Sequence, residues 1–316
     1  MLSGMKWILM ILCLWCQAAG AALPRPGEHL RRVDWEGKQR SYVMHVPAGL
    51  SGEKPVPVVL VLHGAGMNGK LMVSFSGMNA EAERSGFVVV YPNGTGALGT
   101  FLTWNSGGVP GRDGSGQPDD VGFLRLVLDD LESQLPVDRR RVHAAGLSNG
   151  GMMVYKLAAE LSDRIASVAA VAGTMTTPDP APLRPVPVLH VHGTADRIVP
   201  YRGSGRAGPR AVGFRSVEET VRTWSQLNGC PGEAVREELA DVDPGDGTRV
   251  TRHVWGPGRG GAEVVLLQVS GGGHTWPGQV PTVTFIGKST RDIDGNAVIW
   301  EFFRRHPLPE GFRVQR

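Results

Sequence analysis

Cysteine is scarce in this 316-residue sequence, which contains three, and two of them, Cys13 and Cys16, fall in the first 22 residues. If that N-terminal segment is removed, only Cys230 remains, and a single cysteine cannot form a disulfide within its own chain. A scaffold held together by disulfides is therefore excluded. We expect a hydrophobic core to stabilise the fold instead, and a chain of this length is large enough to form one.

The sequence also lacks a strong excess of charge of either sign. Its 33 Lys and Arg residues against 30 Asp and Glu give a net charge of +3, and the one run of three basic residues is 139–141. A run this short is typical of a solvated loop, whereas nucleic-acid-binding proteins carry extended basic patches. Internal repeats, low-complexity segments and long linkers are missing as well. We predict one globular domain, residues 23–316, that does not bind nucleic acid.

The first 22 residues have the charge and hydropathy distribution of a secretory signal peptide. Lys6 precedes an apolar stretch from Trp7 to Trp15, and small residues follow at positions 18–22. This order is typical of a cleaved signal, and the apolar stretch is shorter than the roughly 20 residues that span a bilayer. We predict a secreted or periplasmic protein, with residues 1–22 removed and no stable membrane insertion afterwards. The alternative is an uncleaved membrane anchor.

Short apolar runs alternate with segments of helical periodicity from residue 56 onward. This alternation predicts an α/β fold with a mostly parallel central sheet and helices on both faces. Segments 31–35 and 39–46, which flank Glu36-Gly37, predict an additional N-terminal antiparallel hairpin. The predicted central strands are 56–62, 87–91, 141–145, 165–172, 186–192, 250–255 and 264–269, and the predicted helices are 79–85, 121–135, 150–161, 216–228 and 292–304.

The strongest local motif is Gly146-Leu147-Ser148-Asn149-Gly150, which lies between a predicted strand and a predicted helix. A G-x-S-x-G sequence in this context forms a sharp turn that exposes the serine hydroxyl. We predict that Ser148 is a nucleophile. The alternative is a turn of small residues in which the serine caps the helix.

A serine nucleophile needs a histidine to take its proton and an acid to orient that histidine. Asp196 follows the strand that ends at His192, and His274 follows the strand that ends near Val269. The order Ser, Asp, His and the positions just after strands suit an active site at the carboxyl edge of a parallel sheet. We predict a catalytic triad of Ser148, Asp196 and His274. Taken singly, the aspartate also suits a turn and the histidine a loop.

Residues 63–66, His-Gly-Ala-Gly, close the first buried strand and provide a flexible backbone near the predicted nucleophile. We predict that the backbone N–H groups of Ala65 and Asn149 form an oxyanion hole, with Gly66 as the second choice after Ala65. Such a site requires no metal and no organic cofactor. His190 and His192 lie on one side of one strand and could form half of a metal site, but a third ligand is not apparent, so packing is favoured.

Several motifs occur in an order that resembles one known group of enzymes. The sequence is similar, from about Arg32 to His306, to the esterase family of feruloyl esterases, acetylxylan-type carbohydrate esterases and poly(3-hydroxybutyrate) depolymerases. The resemblance implies an α/β-hydrolase fold and assigns the family's catalytic residues to Ser148, Asp196 and His274. The segments that carry it are 62–64, 91–94, 104–105, 119–123, 146–152, 192–196, 273–278 and 299–303.

The resemblance also shows a departure and leaves the substrate open. Members often carry a cysteine that pairs with the one at Cys230, but the matching segment, 256–259, contains none, so no internal disulfide is expected. Pairing of Cys230 between chains and the oligomeric state are not indicated by the sequence. Trp276 and Trp104 are candidates to line an acyl or sugar pocket, and the alternative is that both are packing residues.

We expect a substrate that is a small-molecule or polymer-linked ester. Insoluble-polyester depolymerases usually add a linker and a binding module, which this sequence does not have, so feruloyl- or acetyl-type esters of plant polysaccharides are favoured. Depolymerisation of hydroxyalkanoate oligomers is the second hypothesis, and acyl transfer by the same triad is the third. A non-catalytic binding protein is disfavoured because all three triad residues are present.

Overall fold

A computed structural model describes residues 23–96, 100–107, 117–204, 213–281 and 283–312. The predicted signal segment, with Cys13 and Cys16, lies outside the described residues. Cys230 is present as a free thiol. In the described part of the chain, no helix has both the length and the apolar character needed to cross a membrane.

The described residues contain one ten-stranded sheet with the order β1-β2-β4-β3-β5-β6-β7-β10-β9-β8. The six strands from β4 to β10 in this order are parallel, and two antiparallel strands complete each edge. The strands are β1 Gly27–Trp35, β2 Lys38–Val46, β3 Val56–Leu62, β4 Val88–Pro92, β5 Val137–Leu147, β6 Val168–Val171, β7 Val188–Gly193, β8 Val235–Glu238, β9 Arg249–Trp255 and β10 Val264–Ser270.

Helices cover both faces of the sheet, as the sequence pattern predicts. Side chains alternate along each central strand, so that Val58 and Leu60 of β3 enter one core while Val59 and Val61 enter the other. Helices α3, α4 and α5 cover the first core, and α1, α2 and α6 cover the second. The helices are α1 Gly69–Ser76, α2 Met78–Ser85, α3 Asp120–Gln134, α4 Asn149–Glu160, α5 Val217–Asn228 and α6 Gly295–Arg305.

Local capping signals fix where several helices begin and end. Ser216 and Glu219 form the predicted capping box at the start of α5, and Gly229 ends that helix in the left-handed conformation. Asp119 caps α3 through the N–H of Gly122. The parallel pairing of the central strands places the carboxyl ends of β5, β7 and β10 at the same edge of the sheet, and the predicted catalytic residues follow those ends.

Candidate active site

Ser148 lies at the turn between β5 and α4 in a strained backbone conformation. Its φ of 56° and ψ of −118° are unusual for a residue with a side chain. The Ser148 N–H donates to the carbonyl of Val171 on β6 at 2.8 Å, which ties the turn to the sheet. The residue is half-buried. This is the conformation expected of an exposed nucleophile on a strand-to-helix turn.

The glycines that flank Ser148 allow the turn to pack closely. A Cβ on Gly146 would lie 2.3 Å from the carbonyl oxygen of Gly150, and a Cβ on Gly150 would lie 2.3 Å from that of Leu62. Contacts this short are not possible between a side chain and backbone. The glycines of the G-x-S-x-G motif are therefore required by the close approach of β3, β5 and α4.

The loop after β3 lies directly against the nucleophile. A Cβ on Gly64 would be 3.4 Å from the Cβ of Ser148. The N–H of Gly66 donates to the carbonyl of Leu102 at 2.8 Å. The Gly66 N–H therefore already has an acceptor. Ala65, the first choice of the sequence analysis, remains the better prediction for an oxyanion donor.

The second predicted donor, the N–H of Asn149, is at the first position of α4. The first N–H groups of a helix have no acceptor within the helix, so this one is suited to bind an anion. Both oxyanion assignments remain predictions.

Trp104 is buried against segment 63–66, the predicted oxyanion loop, and does not line an open pocket. Its side chain is 1% exposed. Its indole N–H donates to the carbonyl of His63 at 3.0 Å. The Asn149 side chain accepts from the Trp104 N–H at 2.6 Å and donates to its carbonyl at 3.1 Å. These contacts make Trp104 a support for the loop, which is the packing alternative of the sequence analysis.

His274 and Asp196 are joined by a short hydrogen bond, with Nδ1 of the imidazole 2.7 Å from Oδ2 of the carboxylate. The other carboxylate oxygen accepts from the N–H groups of Ile198 and Val199 at 2.8 and 2.9 Å. Burial alone would raise the pKa of Asp196, but hydrogen bonds from His192 and His274 outweigh it and hold the pKa well below its usual range. Asp196 is therefore an anion at neutral pH, as an orienting acid must be.

The segment after His274 fixes the position of the imidazole. The His274 N–H donates to the carbonyl of Ile286 at 2.6 Å. Two residues further on, Trp276 is 1% exposed, and its indole N–H donates to the side chain of Asn296 on α6 at 2.8 Å. In this conformation Trp276 anchors the loop to α6 and does not face a pocket.

The structure joins two members of the predicted triad and places the third at the same edge of the sheet. Ser148 follows β5, Asp196 follows β7, and His274 follows β10, which is the neighbour of β7. Among the described residues, no hydrogen bond joins Ser148 Oγ to His274. Such contacts are often long without substrate and shorten when it binds. The complete triad stays a prediction.

His190 and His192 are buried, and their rings stack with centroids 5.2 Å apart. The sequence analysis favoured packing over a metal site, but it did not predict that the two rings hydrogen-bond to each other or that His190 hydrogen-bonds to Tyr155. The available signal was that two histidines on one face of a buried strand must each have a hydrogen-bond partner, because buried polar groups need partners. Among the described residues, no group of three or more His, Cys, Asp or Glu side chains is placed to hold a metal ion.

Residues 40–180 match the family described as Esterase PHB depolymerase. NocK from Nocardia uniformis subsp. tsuyamanensis, whose name describes it as an esterase, is 38% identical over 78% of this chain and 74% of its own length. Feruloyl esterase B from Piromyces equi is 28% identical over 74% of this chain, which spans only 42% of that relative.

A structural comparison bears on the fold alone. An acetyl xylan esterase from Aspergillus awamori superposes with a TM-score of 0.55 at 17% identity, over 78% of this chain and 94% of that one. The family resemblance and the α/β-hydrolase fold inferred from the sequence are both confirmed.

Proposed function

The chain belongs to the Esterase PHB depolymerase family and is a carboxylic ester hydrolase, and on this premise we propose that it works through a Ser148–His274–Asp196 triad and an acyl-enzyme. The observation that carries the proposal is the 2.7 Å hydrogen bond between His274 Nδ1 and Asp196 Oδ2. A histidine held in this way presents its other nitrogen, Nε2, as the proton acceptor for the serine. The strained backbone of Ser148 supports the same assignment.

In the proposed reaction, Ser148 Oγ attacks the ester carbonyl carbon while His274 Nε2 takes the hydroxyl proton. The N–H groups of Ala65 and Asn149 bind the oxyanion, and each such donor typically lowers the barrier by about 3 kcal/mol. The tetrahedral intermediate collapses, and His274 returns the proton to the leaving alcohol. Water then attacks the acyl-enzyme with His274 as base, which releases the carboxylic acid and restores Ser148.

For the substrate, we propose feruloyl- or acetyl-type esters of plant polysaccharides. The name of one relative, a feruloyl esterase, supports the first group, and the name of another, a bifunctional acetylxylan esterase/xylanase from Neocallimastix patriciarum, supports the second. The family description supports hydroxyalkanoate oligomers as the second candidate. We further propose a single domain, 23–316, that is exported by a cleaved signal, residues 1–22.

The test is a comparison of the wild-type protein with Ser148→Ala, and with Ser133→Ala as a control on the exposed surface of α3. The substrates are methyl ferulate, acetylated xylan, p-nitrophenyl acetate and 3-hydroxybutyrate oligomers. We expect Ser148→Ala to lose at least about a thousandfold in kcat with an unchanged melting temperature, and Ser133→Ala to behave as the wild type.

The preferred substrate decides between the two ester classes. Full activity of Ser148→Ala would refute the nucleophile assignment. Formation of a new ester when an alcohol is added, in preference to hydrolysis, would favour the acyltransferase hypothesis.

A further inference from the structure

A line of hydrogen bonds runs through the core behind the predicted catalytic acid, and the mechanism above does not use it. It begins at Tyr155 on α4, passes through His190 and His192 on β7, and ends at the carbonyl of Val199, with Asp196 Oδ2 3.5 Å from the last nitrogen. We propose that His192 is a positioning residue for Asp196 and that Tyr155, acting through His190, holds it in the required tautomer. This inference rests on the proposed triad.

The distances define a continuous line. The Tyr155 hydroxyl lies 2.6 Å from His190 Nδ1, and His190 Nε2 lies 3.1 Å from His192 Nδ1. His192 Nε2 then lies 2.8 Å from the carbonyl oxygen of Val199 and 3.5 Å from Asp196 Oδ2. All of the side chains in the line are buried.

The acceptors at the end of the line determine which ring nitrogen carries the proton in each histidine. A carbonyl and a carboxylate can only accept, so Nε2 of His192 carries the proton. With both rings neutral, His192 Nδ1 must accept from His190 Nε2, and His190 Nδ1 must accept from the Tyr155 hydroxyl. Burial favours the neutral form of His190 because it lowers the pKa of that ring well below its usual value. Every donor in the line therefore points toward the end of β7, where the last one bonds to the Val199 carbonyl and Asp196 Oδ2 lies 3.5 Å away.

This arrangement gives Asp196 a neutral donor on the side away from the substrate. Oδ2 is hydrogen-bonded to His274 at 2.7 Å and lies 3.5 Å from His192 Nε2, while Oδ1 accepts from two backbone N–H groups. One of these N–H groups belongs to Val199, whose carbonyl is bonded to His192 at 2.8 Å, so His192 also holds the backbone that binds Asp196. The His192 contact limits rotation of the carboxylate without a second positive charge beside it. An imidazolium at this place would compete with His274 for the charge of Asp196.

Two tyrosines pack against the rings of His190 and His192. Tyr155 contacts His190 from α4, and Tyr201 meets His192 edge-on, with centroids 5.9 Å apart. Burial raises the pKa of Tyr201, and the negative charge of Glu218 on α5 raises it further. Asp196 is the one carboxylate within 4 Å of either ring among the described residues.

The experiment compares His192→Phe, which cannot donate, with His192→Gln, whose amide nitrogen can reach the place of Nε2. The control is His143→Phe, because His143 is a fully buried histidine on β5 that stacks on Phe303 and contacts none of these residues. We expect His192→Phe to lose about tenfold to a hundredfold in kcat, the range seen when groups that orient a reactive ligand are removed. His192→Gln should recover most of this loss.

The pH dependence of kcat/KM is a readout that loss of packing alone would not move. Without the His192 donor, Oδ2 binds the His274 proton more strongly, so the acidic limb should move to higher pH in His192→Phe. It should stay in place in His192→Gln and His143→Phe. Tyr155→Phe, which removes the donor at the start of the line, should shift the limb in the same direction by a smaller amount.

Two further measurements separate failure of this inference from failure of the triad. If Asp196→Asn keeps wild-type activity, the proposed triad is wrong. If Asp196→Asn is inactive while His192→Phe matches His143→Phe in kcat and pH profile, the positioning role is refuted. Should His192→Phe not fold, ¹⁵N NMR of histidine-labelled wild-type protein decides: protons on Nε2 of His190 and His192 support the inference, and a proton on Nδ1 of His192 overturns it.

Discussion

Protonation of His63 should couple acid conditions to loss of both stability and activity. The ring is buried at the start of segment 63–66, the predicted oxyanion loop, where Nε2 accepts from the N–H of Gly94 at 3.0 Å and Nδ1 lies 2.8 Å from the carbonyl of Gly64. Only the neutral ring can make both bonds, because Nε2 must stay unprotonated to accept. Burial is the main cause that lowers the pKa of His63 to about 4.

The size and direction of the effect follow from this pKa. In the unfolded chain the pKa of a histidine is about 6.5, so the folded protein binds this proton less readily than the unfolded chain. The contribution to stability is therefore complete above pH 6.5 and is lost as the pH falls toward 4. The difference between the two pKa values corresponds to about 3 kcal/mol in the free energy of unfolding.

The perturbation is His63→Gln, which keeps an acceptor near Gly94 but does not titrate. Urea unfolding of wild type and variant at pH 7.0, 5.5 and 4.5 gives the difference between their pH dependences. This comparison matters because other buried histidines also titrate; the pKa of His143 is lowered to about 3. We expect the variant to be less stable at pH 7 but to lose about 2 to 3 kcal/mol less on acidification.

The control is His29→Gln on the edge strand β1, which should follow the wild-type curve. Parallel curves for wild type and His63→Gln would refute the reasoning. The loss of activity below pH 5 should also be smaller in the variant, because the oxyanion loop keeps its bond to Gly94.

Two other predictions concern contacts around the site. Arg40→Met leaves the carboxylate of Asp120, 2.7 Å from the Arg40 guanidinium, buried without its cation; urea unfolding should show a loss of about 3 to 5 kcal/mol. The double variant Arg40→Met/Asp120→Asn should cost at least about 1 kcal/mol less than the sum of the single changes, and strict additivity would contradict this. Gly150→Ala places a Cβ 2.3 Å from the Leu62 carbonyl oxygen, so kcat should fall by about a hundredfold. Gly49→Ala, where a Cβ meets nothing within 4 Å, is the control, and equal kcat values for the two variants would argue against the close contact.

The parts of the fold that the sequence predicts are those with strong local signals. Residues 56–62 form β3 with the predicted bounds, and the capping box at Ser216 starts α5 where it was expected. Helix α1 was missed because it has only eight residues and one of its apolar side chains, Leu71, is 52% exposed. Strand β8 was missed because all four of its residues are exposed, and it exists through its pairing with β9.

The candidate site divides in the same way. The strained turn at Ser148 could be predicted because a short motif in a strand-to-helix context determines the backbone conformation. The sequence left two alternatives for Trp104 and Trp276, pocket lining and packing, because nearness to a predicted catalytic residue in sequence says little about which way a side chain faces. Trp104 is buried by His63 and Asn149, and Trp276 by Asn296, partners that are 20 to 45 residues away. Substrate contacts therefore have to be sought among other side chains or in another conformation.

The buried histidines of β7 show that hydrogen-bonding requirements can add expected partners to what a sequence pattern predicts. Their spacing places His190 and His192 on one face of a strand, and in a core such residues are costly unless each ring nitrogen has a partner. Asp196 lies just beyond the end of the same strand, and a nearby hydrogen-bond donor stabilises its negative charge. The remaining donor had to come from elsewhere in the chain, and Tyr155, 35 residues before His190, provides it. Two histidines on a buried strand that ends at a catalytic acid therefore argue for a hydrogen-bonded extension of that acid, and the demand for a hydroxyl donor can be stated before the residue that meets it is known.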